Sequence, residues 1–294
     1  MKEIFLVAFL IIALTLLPQD GIARTRIVAS IFPFYDFVRE IVKDNAQVEL
    51  LIKPGTNLHH FEPKPSDIAT IRKADFFIYG GLKIEPWAER IVRTFKTAPP
   101  YIVNASQGLD LESTGPKVID PHIWLDPYFV ERIVDNIVEN LAMKDQKNAE
   151  LFRRNGDEYK RKVKALDERF KQALASCKIR TIVHAGHYSF GYLAKRYNLE
   201  YVAAYPLEIE SEPTPQQIRK MKETLQRTGA RYIFYEEFVS QKVANILARE
   251  LKLGMLKLNS GGIISKKDLE SGVTFLKIME DNLKSLARGL ECEK

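Results

Sequence analysis

The chain of 294 residues has five histidines, and they fall in three short segments. These segments contain His59 and His60, then His122, and finally His184 and His187. Histidines scattered over a core or a surface would not be expected to cluster in this way. A divalent metal such as zinc binds neutral imidazole nitrogens in a tetrahedral arrangement. The clustering therefore predicts one metal site, to which each segment contributes a ligand.

The segment around His122 has the sequence Asp-Pro-His-Ile-Trp-Leu-Asp-Pro, residues 120–127. A proline near each end stiffens the backbone, so we expect a well-defined position for the histidine. Asp120 and Asp126 are candidates for ligands or for groups that orient the imidazole. Pairing of His122 with these carboxylates alone, as a structural ion pair, is the competing interpretation. Trp124 is expected to pack beside the site and to exclude water.

The other two segments contain two histidines each, and not all of them are expected to bind metal. Only one of His59 and His60 should be a ligand, while the other faces solvent or forms a hydrogen bond within its loop. His184 lies at the end of a predicted strand. For this histidine we favour a buried side chain, hydrogen-bonded to the backbone, over metal ligation.

Predicted strands and helices alternate along the chain, at a spacing typical of βα units and of a mostly parallel sheet. The strands are predicted at 26–31, 48–52, 75–79 and 101–104 in the first half, and at 181–183, 201–204, 232–235 and 255–258 in the second. Ligands of such sheets bind beyond the carboxyl ends of the strands. The first and third histidine segments each follow a predicted strand, so they lie where binding residues are expected.

Residues 145–176 form the longest predicted helix, which would measure roughly 48 Å at 1.5 Å per residue. A helix of this length could span a protein of two lobes and pack its apolar stripe along both. We therefore expect an α/β fold with two lobes, each containing a mostly parallel sheet flanked by helices. The long helix would join an N-terminal lobe, residues 24–144, to a C-terminal lobe, residues 177–294.

The first 23 residues have the features of a cleaved signal peptide. A charged start is followed by a mostly apolar run, Ile4 to Leu17, and by small residues that end at Ala23. This run is short for a membrane span, although an uncleaved anchor is the competing interpretation. Because no cysteine lies near the cleavage point, a lipid anchor is not expected. The mature protein should begin near Arg24 and be periplasmic.

Charge and cysteine content narrow the classes of partner. The net charge is +6, but basic and acidic residues are interleaved, which indicates solvated helix faces rather than a nucleic-acid surface.

Cys177 and Cys292 could pair in an oxidising compartment, but the sequence does not show that they meet. A mixed cysteine and histidine zinc site is less favoured, because neither cysteine has a partner at ligand spacing.

Three segments resemble the ligand motifs of one protein family. His-His-Phe-Glu-Pro-Lys-Pro-Ser-Asp at 59–67, the stretch 120–127, and His-Tyr-Ser-Phe-Gly-Tyr-Leu-Ala-Lys-Arg-Tyr at 187–197 are similar to those of the zinc/manganese-type solute-binding proteins of bacterial ABC importers, known as cluster A-I. The resemblance extends nearly over the whole mature chain. It implies two α/β lobes joined by a long helix, with a metal between the lobes that is delivered to a membrane permease.

The resemblance also implies roles for individual residues. The ligands would be His59, His122 and His187, whereas His60 would be the variable position of its motif and His184 would lie outside the third motif. Glu62, Asp120 and Asp126 would be partners that orient the imidazoles.

Departures from the family pattern bear on the choice of metal. The loop 105–119 has no histidine, unlike the histidine-rich loop of many zinc-uptake members. Manganese-type members commonly have Glu as the third ligand and Asp as the fourth, whereas this chain has His187 and, near the fourth position, Asn259. The fourth ligand is then water, Asn259 or a nearby carboxylate. Because imidazole suits zinc and manganese prefers oxygen donors, we expect Zn²⁺, with Mn²⁺ or Fe²⁺ as alternatives.

Three functions compete on the sequence alone. The favoured function is a monomeric carrier without enzymatic activity. A zinc hydrolase or lyase also uses three histidines and water, with Glu62 or Glu236 as its general base. A metal-dependent surface adhesin is the third, less favoured function.

Overall fold

The computed structural model describes residues 24–81, 83–95, 99–111, 119–206 and 212–293. The predicted signal peptide, residues 1–23, lies outside the described residues, as do residues 112–118 of the loop before the second histidine segment. None of the helices in the described ranges combines the length and apolar character needed to cross a membrane.

Four parallel strands form the sheet of the N-terminal lobe. They are β1 (Thr25–Ala29), β2 (Ala46–Leu50), β3 (Phe76–Tyr79) and β4 (Tyr101–Asn104), in the order β2-β1-β3-β4. All four residues of β3 are buried, which is typical of a strand covered by helices on both faces. The flanking helices are α1 (Phe32–Val42), α2 (Pro65–Arg72) and α3 (Pro86–Val92).

The C-terminal lobe repeats this arrangement. Its strands are β5 (Thr181–His187), β6 (Glu200–Tyr205), β7 (Tyr232–Tyr235) and β8 (Gly254–Lys257), all parallel and in the order β6-β5-β7-β8. The helices are α6 (Gly191–Arg196), α7 (Pro215–Thr228), α8 (Lys242–Leu251), α9 (Lys266–Glu270) and α10 (Phe275–Gly289). Several helices begin with proline, whose missing N–H would have no intrahelical partner in the first turn.

Two antiparallel helices, α4 (Pro127–Lys144) and α5 (Ala149–Leu174), connect the lobes. Helix α5 has 26 residues, or roughly 39 Å, and it contacts α1 and α4 as well as α10. It is shorter than predicted because residues 145–148 form a turn, in which the Asp145 carboxylate accepts a hydrogen bond from the Asn148 N–H. Gly156 lets α5 approach α4 closely, since a Cβ there would lie 2.5 Å from Cγ2 of Val138.

The predicted fold, an α/β protein with two parallel sheets and a long helix, is confirmed. One strand differs in a way that matters for the site: β5 was predicted to end at residue 183, but it continues to His187 past an irregularity in its pairing with β6. The predicted lobe boundaries stay a prediction. Helix α10 lies in the predicted C-terminal lobe, but it contacts α1 of the N-terminal lobe as well as strands β7 and β8.

Two long-range contacts hold the end of the chain in place. The buried carboxylate of Asp36 on α1 accepts a hydrogen bond of 2.8 Å from the N–H of Phe275 at the start of α10, where a helix favours negative charge. Burial nevertheless raises the pKa of Asp36 to about 6. Cys177 and Cys292, whose pairing the sequence left open, form a disulfide. The segment that follows α5 is thus covalently joined to the segment that follows α10.

Replacing both cysteines by serine should lower the free energy of unfolding by about 3–5 kcal/mol, because the disulfide closes a loop of more than 100 residues in the unfolded chain. Urea unfolding of the oxidised wild type and of C177S/C292S measures the difference. An equal unfolding midpoint in the two proteins would contradict the expectation.

Candidate metal centre

The side chains of His59, His122 and His187 converge where the two lobes meet. One ring nitrogen from each histidine lies within 4.8 Å of the other two, and the Nε2 atoms of His122 and His187 are 3.1 Å apart. Nε2 of His59 is buried and has no hydrogen-bond partner among the described residues. Buried polar atoms are normally paired, so a converging set of imidazoles with such an atom fits a metal ion.

His59 is held by a short turn after strand β2. Residues Leu58–His60 form one turn of 3₁₀ helix, and the side chain of Asn57 accepts a hydrogen bond of 2.9 Å from the His59 N–H. Phe61 packs edge-on against Trp87, with ring centroids 4.9 Å apart. The backbone on either side of His59 is therefore anchored to the N-terminal lobe.

His122 is oriented by Asp120. Oδ1 of this aspartate accepts a hydrogen bond from the His122 backbone N–H at 3.0 Å and lies 2.7 Å from Nδ1 of the ring. Donation from Nδ1–H leaves the lone pair of Nε2 directed at the other histidines. Burial raises the pKa of Asp120 to about 7 and lowers that of His122. Asp120 thus lies where it could orient the His122 ring, and this role stays a prediction.

His187 is oriented in the same way by Glu236. Its Nδ1 lies 2.6 Å from Oε2 of Glu236, and the other carboxylate oxygen accepts a hydrogen bond of 2.9 Å from the Ser260 hydroxyl. Burial alone would raise the pKa of Glu236, but the neighbouring His187 and these hydrogen bonds lower it to about 2. The Ser260 carbonyl also accepts a hydrogen bond of 2.8 Å from the indole of Trp124. This serine therefore connects the His187 support to the other lobe.

The remaining histidines lie apart from the cluster of three. His60 is exposed. His184 is fully buried, and its Nδ1 lies 2.9 Å from the hydroxyl of Tyr201. Gly186 leaves little space beside the ring, since a Cβ there would lie 2.5 Å from Nε2 of His184. His184 is buried as expected, but the hydrogen bond described for its ring is to the Tyr201 hydroxyl and not to the backbone.

Glu62 and Asp126, which were both expected to orient an imidazole, lie in other surroundings. Glu62 is exposed. Asp126 caps helix α4 through the Tyr128 N–H at 2.9 Å and forms an ion pair with Arg196, also at 2.9 Å, instead of orienting a histidine.

The side-chain oxygen of Asn259, the candidate fourth ligand, accepts a hydrogen bond of 2.8 Å from the Gly261 N–H. This residue also lines a surface depression with Lys277 and Asn282, among other residues, none of them histidine. A local turn thus engages the oxygen of Asn259, which was one of three candidates for the fourth ligand.

Sequence reasoning missed Glu236 and Ser260 as supports of the site, since it considered Glu236 only as a general base. The available signal was its position directly after strand β7, at the edge where parallel sheets bind ligands. Its pairing with His187 depends on the order of strands in the sheet, because β5 and β7 are neighbours in space although β6 lies between them in the sequence.

Burial should keep the imidazoles of His59 and His122 neutral in acid. It lowers the pKa of His59 to about 2, an effect strengthened by the nearby His122 and His187, and it lowers the pKa of His122 well below 6.5. In the metal-free protein, the C2–H resonances of these two rings should therefore not titrate between pH 7.5 and 5. An NMR titration measures this, and a midpoint near pH 6.5 for either ring would contradict it.

The chain matches, over residues 27–289, the family described as ZnuA, zinc-uptake complex component A, periplasmic. The high-affinity zinc uptake system protein ZnuA of Bacillus subtilis is 31% identical over 91% of this chain and 88% of its own length. The zinc-binding lipoprotein AdcA of Streptococcus pneumoniae is 30% identical over 93% of this chain, which spans only 57% of AdcA.

A solved structure gives the same result for the fold. The Zn(II)-bound ZnuA-like domain of Streptococcus pneumoniae AdcA has a TM-score of 0.81 and 30% identity to this chain, over 91% of this chain and 99% of that domain. The resemblance inferred from the three histidine motifs is thereby confirmed. Since the family match covers nearly the whole described chain, this protein belongs to the ZnuA family of zinc-uptake complex components.

Proposed function

We propose that this protein binds Zn²⁺ with His59, His122 and His187 outside the inner membrane and delivers it to the permease of an ABC importer. The observation that carries the proposal is the convergence of three imidazole nitrogens, of which Nε2 of His59 is buried without a partner among the described residues. The names of the relatives, which are zinc uptake and zinc-binding proteins, support the choice of cargo.

We further propose that water completes the coordination of the zinc ion. Both carboxylate oxygens of Glu236 are engaged, by His187 and by Ser260, and the side-chain oxygen of Asn259 is held by the Gly261 N–H. A site of three imidazoles and one water favours zinc over manganese, because Mn²⁺ prefers more oxygen ligands; Fe²⁺ is the alternative cargo, since imidazole also suits iron.

A carrier is favoured over a zinc hydrolase because neither nominated base is suited to catalysis. A general base must reach the proton that it removes. Glu236 is buried, and its carboxylate oxygens are engaged by His187 and Ser260. Glu62 is exposed and supports no histidine in the hydrogen bonds described above.

We also propose that residues 1–23 are a cleaved signal peptide, that the carrier is a periplasmic monomer, and that it does not bind nucleic acid.

Changing His59, His122 or His187 to Ala should each weaken zinc binding by more than 100-fold, because loss of a ligand should exceed the roughly 10–100-fold effect of losing an outer partner. Competition titration of the metal-free protein with a zinc chelator measures the affinity. His60→Ala and His184→Ala are the matched controls and should change it much less. If His187→Ala binds zinc like the wild type and His184→Ala does not, the assignment of the third ligand is wrong.

Glu236→Gln should weaken zinc binding by roughly 10–100-fold, because the amide cannot supply the negative charge that supports the His187 imidazole. Asn259→Ala should leave the affinity within about threefold of the wild type, since its oxygen is not proposed as a ligand. The same titration measures both variants. A loss in Asn259→Ala as large as that in Glu236→Gln would contradict the water-completed site.

The proposal that the bound metal is zinc rather than manganese is tested separately. Metal content of protein purified without chelator or added metal, followed by competition between Zn²⁺ and Mn²⁺, should show zinc displacing manganese. Retention of manganese against equimolar zinc would overturn the choice of cargo while leaving the three histidines as candidate ligands.

A further inference from the structure

We propose that Arg196 is a positioning residue of the metal centre, whose guanidinium clamps the second ligand loop of one lobe against the other lobe. The second ligand loop is defined as residues 120–126, which contain His122. This inference rests on the proposed function, since it concerns how the zinc site is held together. Its evidence is separate, however, because Arg196 contacts none of the three histidines in the hydrogen bonds and ion pairs described.

The guanidinium of Arg196 joins three segments of the chain. Its Nε and Nη2 atoms donate hydrogen bonds of 2.7 and 2.6 Å to the two carboxylate oxygens of Asp167 on α5. Its Nη1 atom lies 2.9 Å from Oδ1 of Asp126, the last residue of the second ligand loop. The side chains of Arg196, Asp126 and Asp167 are only 20%, 14% and 8% exposed, so solvent screens these contacts less than it screens surface pairs.

Both carboxylates are held by further contacts. Asp167 accepts a hydrogen bond of 2.9 Å from the Tyr197 hydroxyl and lies 2.9 Å from Nζ of Lys171. Burial alone would raise the pKa of Asp167, but these donors and Arg196 lower it to about 2. Asp126 is held by the Tyr128 N–H. A planar guanidinium can bind both carboxylates at once, which the single ammonium of a lysine does not reproduce.

Helix α6, which ends at Arg196, touches the second ligand loop at both ends. At its first residue, Gly191, a Cβ would lie 2.9 Å from Oδ2 of Asp120, the carboxylate that orients His122. Between these ends, the ring of Tyr192 meets that of Phe129 on α4 edge-on, at 5.2 Å. Since His187 lies just before α6, this packing sets the separation between His122 and His187.

The clamp has a consequence for zinc release. A zinc release that separates His122 from His187 would strain or break the contact between Arg196 and Asp126. Loss of the guanidinium should therefore speed zinc dissociation by roughly tenfold or more, the scale observed for outer partners of metal ligands.

Two measurements on the full mature chain test the clamp in wild type, Arg196→Gln, Arg196→Lys and Arg169→Gln. The first is amide hydrogen exchange of residues 120–126 in the metal-free protein, and the second is the zinc dissociation rate after addition of excess chelator. Arg169→Gln is the matched control, because Arg169 is also an arginine that pairs with a carboxylate of another helix, Glu280 at 2.8 Å, but does not contact the second ligand loop.

We expect Arg196→Gln to speed both amide exchange and zinc dissociation. Arg196→Lys should speed them less, because the lysine keeps the positive charge, and Arg169→Gln should change neither rate. Exchange in Arg196→Gln equal to that in Arg169→Gln would overturn the clamp. Faster exchange with an unchanged dissociation rate would overturn its role in positioning the site. If the wild type itself does not bind zinc, the proposed function fails, while hydrogen exchange still decides whether Arg196 holds the loop.

Asp126→Asn keeps the test decisive if Arg196→Gln does not fold. Asparagine is as good an N-cap as aspartate, so the start of α4 is preserved, and the pair of Arg196 with Asp167 remains intact. Only the charge of the inter-lobe contact is lost. This variant should also speed exchange of residues 120–126 and zinc dissociation, and wild-type values for both would overturn the proposal.

Discussion

An imidazole nitrogen buried away from water is unfavourable unless something binds its lone pair, at a cost of roughly 1–3 kcal/mol for an unsatisfied polar group. In this protein the rings of His59, His122 and His187 come from three different segments of the chain, and one ring nitrogen from each lies within 4.8 Å of the other two. Two sheets with the same strand order turn their carboxyl ends toward this point. Bringing the rings together buries polar nitrogens, which is unfavourable without a metal. The packing of the rest of the fold must offset that free-energy cost.

The carboxylates of Asp120 and Glu236 determine which ring nitrogen of His122 and of His187 carries the proton. A metal that binds through Nε2 requires a free lone pair on that atom, which a neutral ring has only if Nδ1 carries the proton. Asp120 and Glu236 both accept at Nδ1, in each case from within the same lobe as the histidine that they support. The rings of His122 and His187 are therefore each oriented by a carboxylate of their own lobe.

The lobes approach closely through one loop of the C-terminal lobe, residues 259–264. A Cβ at Gly262 would lie 2.6 Å from Cδ2 of Leu58, next to the first ligand, so a larger residue would push the lobes apart. The Ile264 carbonyl accepts a hydrogen bond of 2.8 Å from the Gly55 N–H, and Ser260 accepts one from Trp124. Since these contacts share a loop with the support of Glu236, ligand orientation and lobe approach are coupled.

The sequence by itself determined the α/β class, the alternation of strands and helices, and the three histidine segments, because these depend on local periodicity, turn residues and motif spacing. The extension of β5 to His187 was not predictable, since it depends on pairing with Tyr205 of β6. Local pattern also could not show that Glu236 supports His187, that Asp126 meets Arg196, or that Cys177 meets Cys292.

Each of those contacts joins residues distant in sequence, so only the order of strands and the packing of the lobes decided it. Asn259 also shows a limit of prediction from the sequence. Its position after β8 suggested a ligand, but the N–H of Gly261 in the same turn engages its side-chain oxygen. Residue type and spacing thus identified which groups can bind a metal. Tertiary structure decided which of them meet, because convergence depends on how the two sheets face each other.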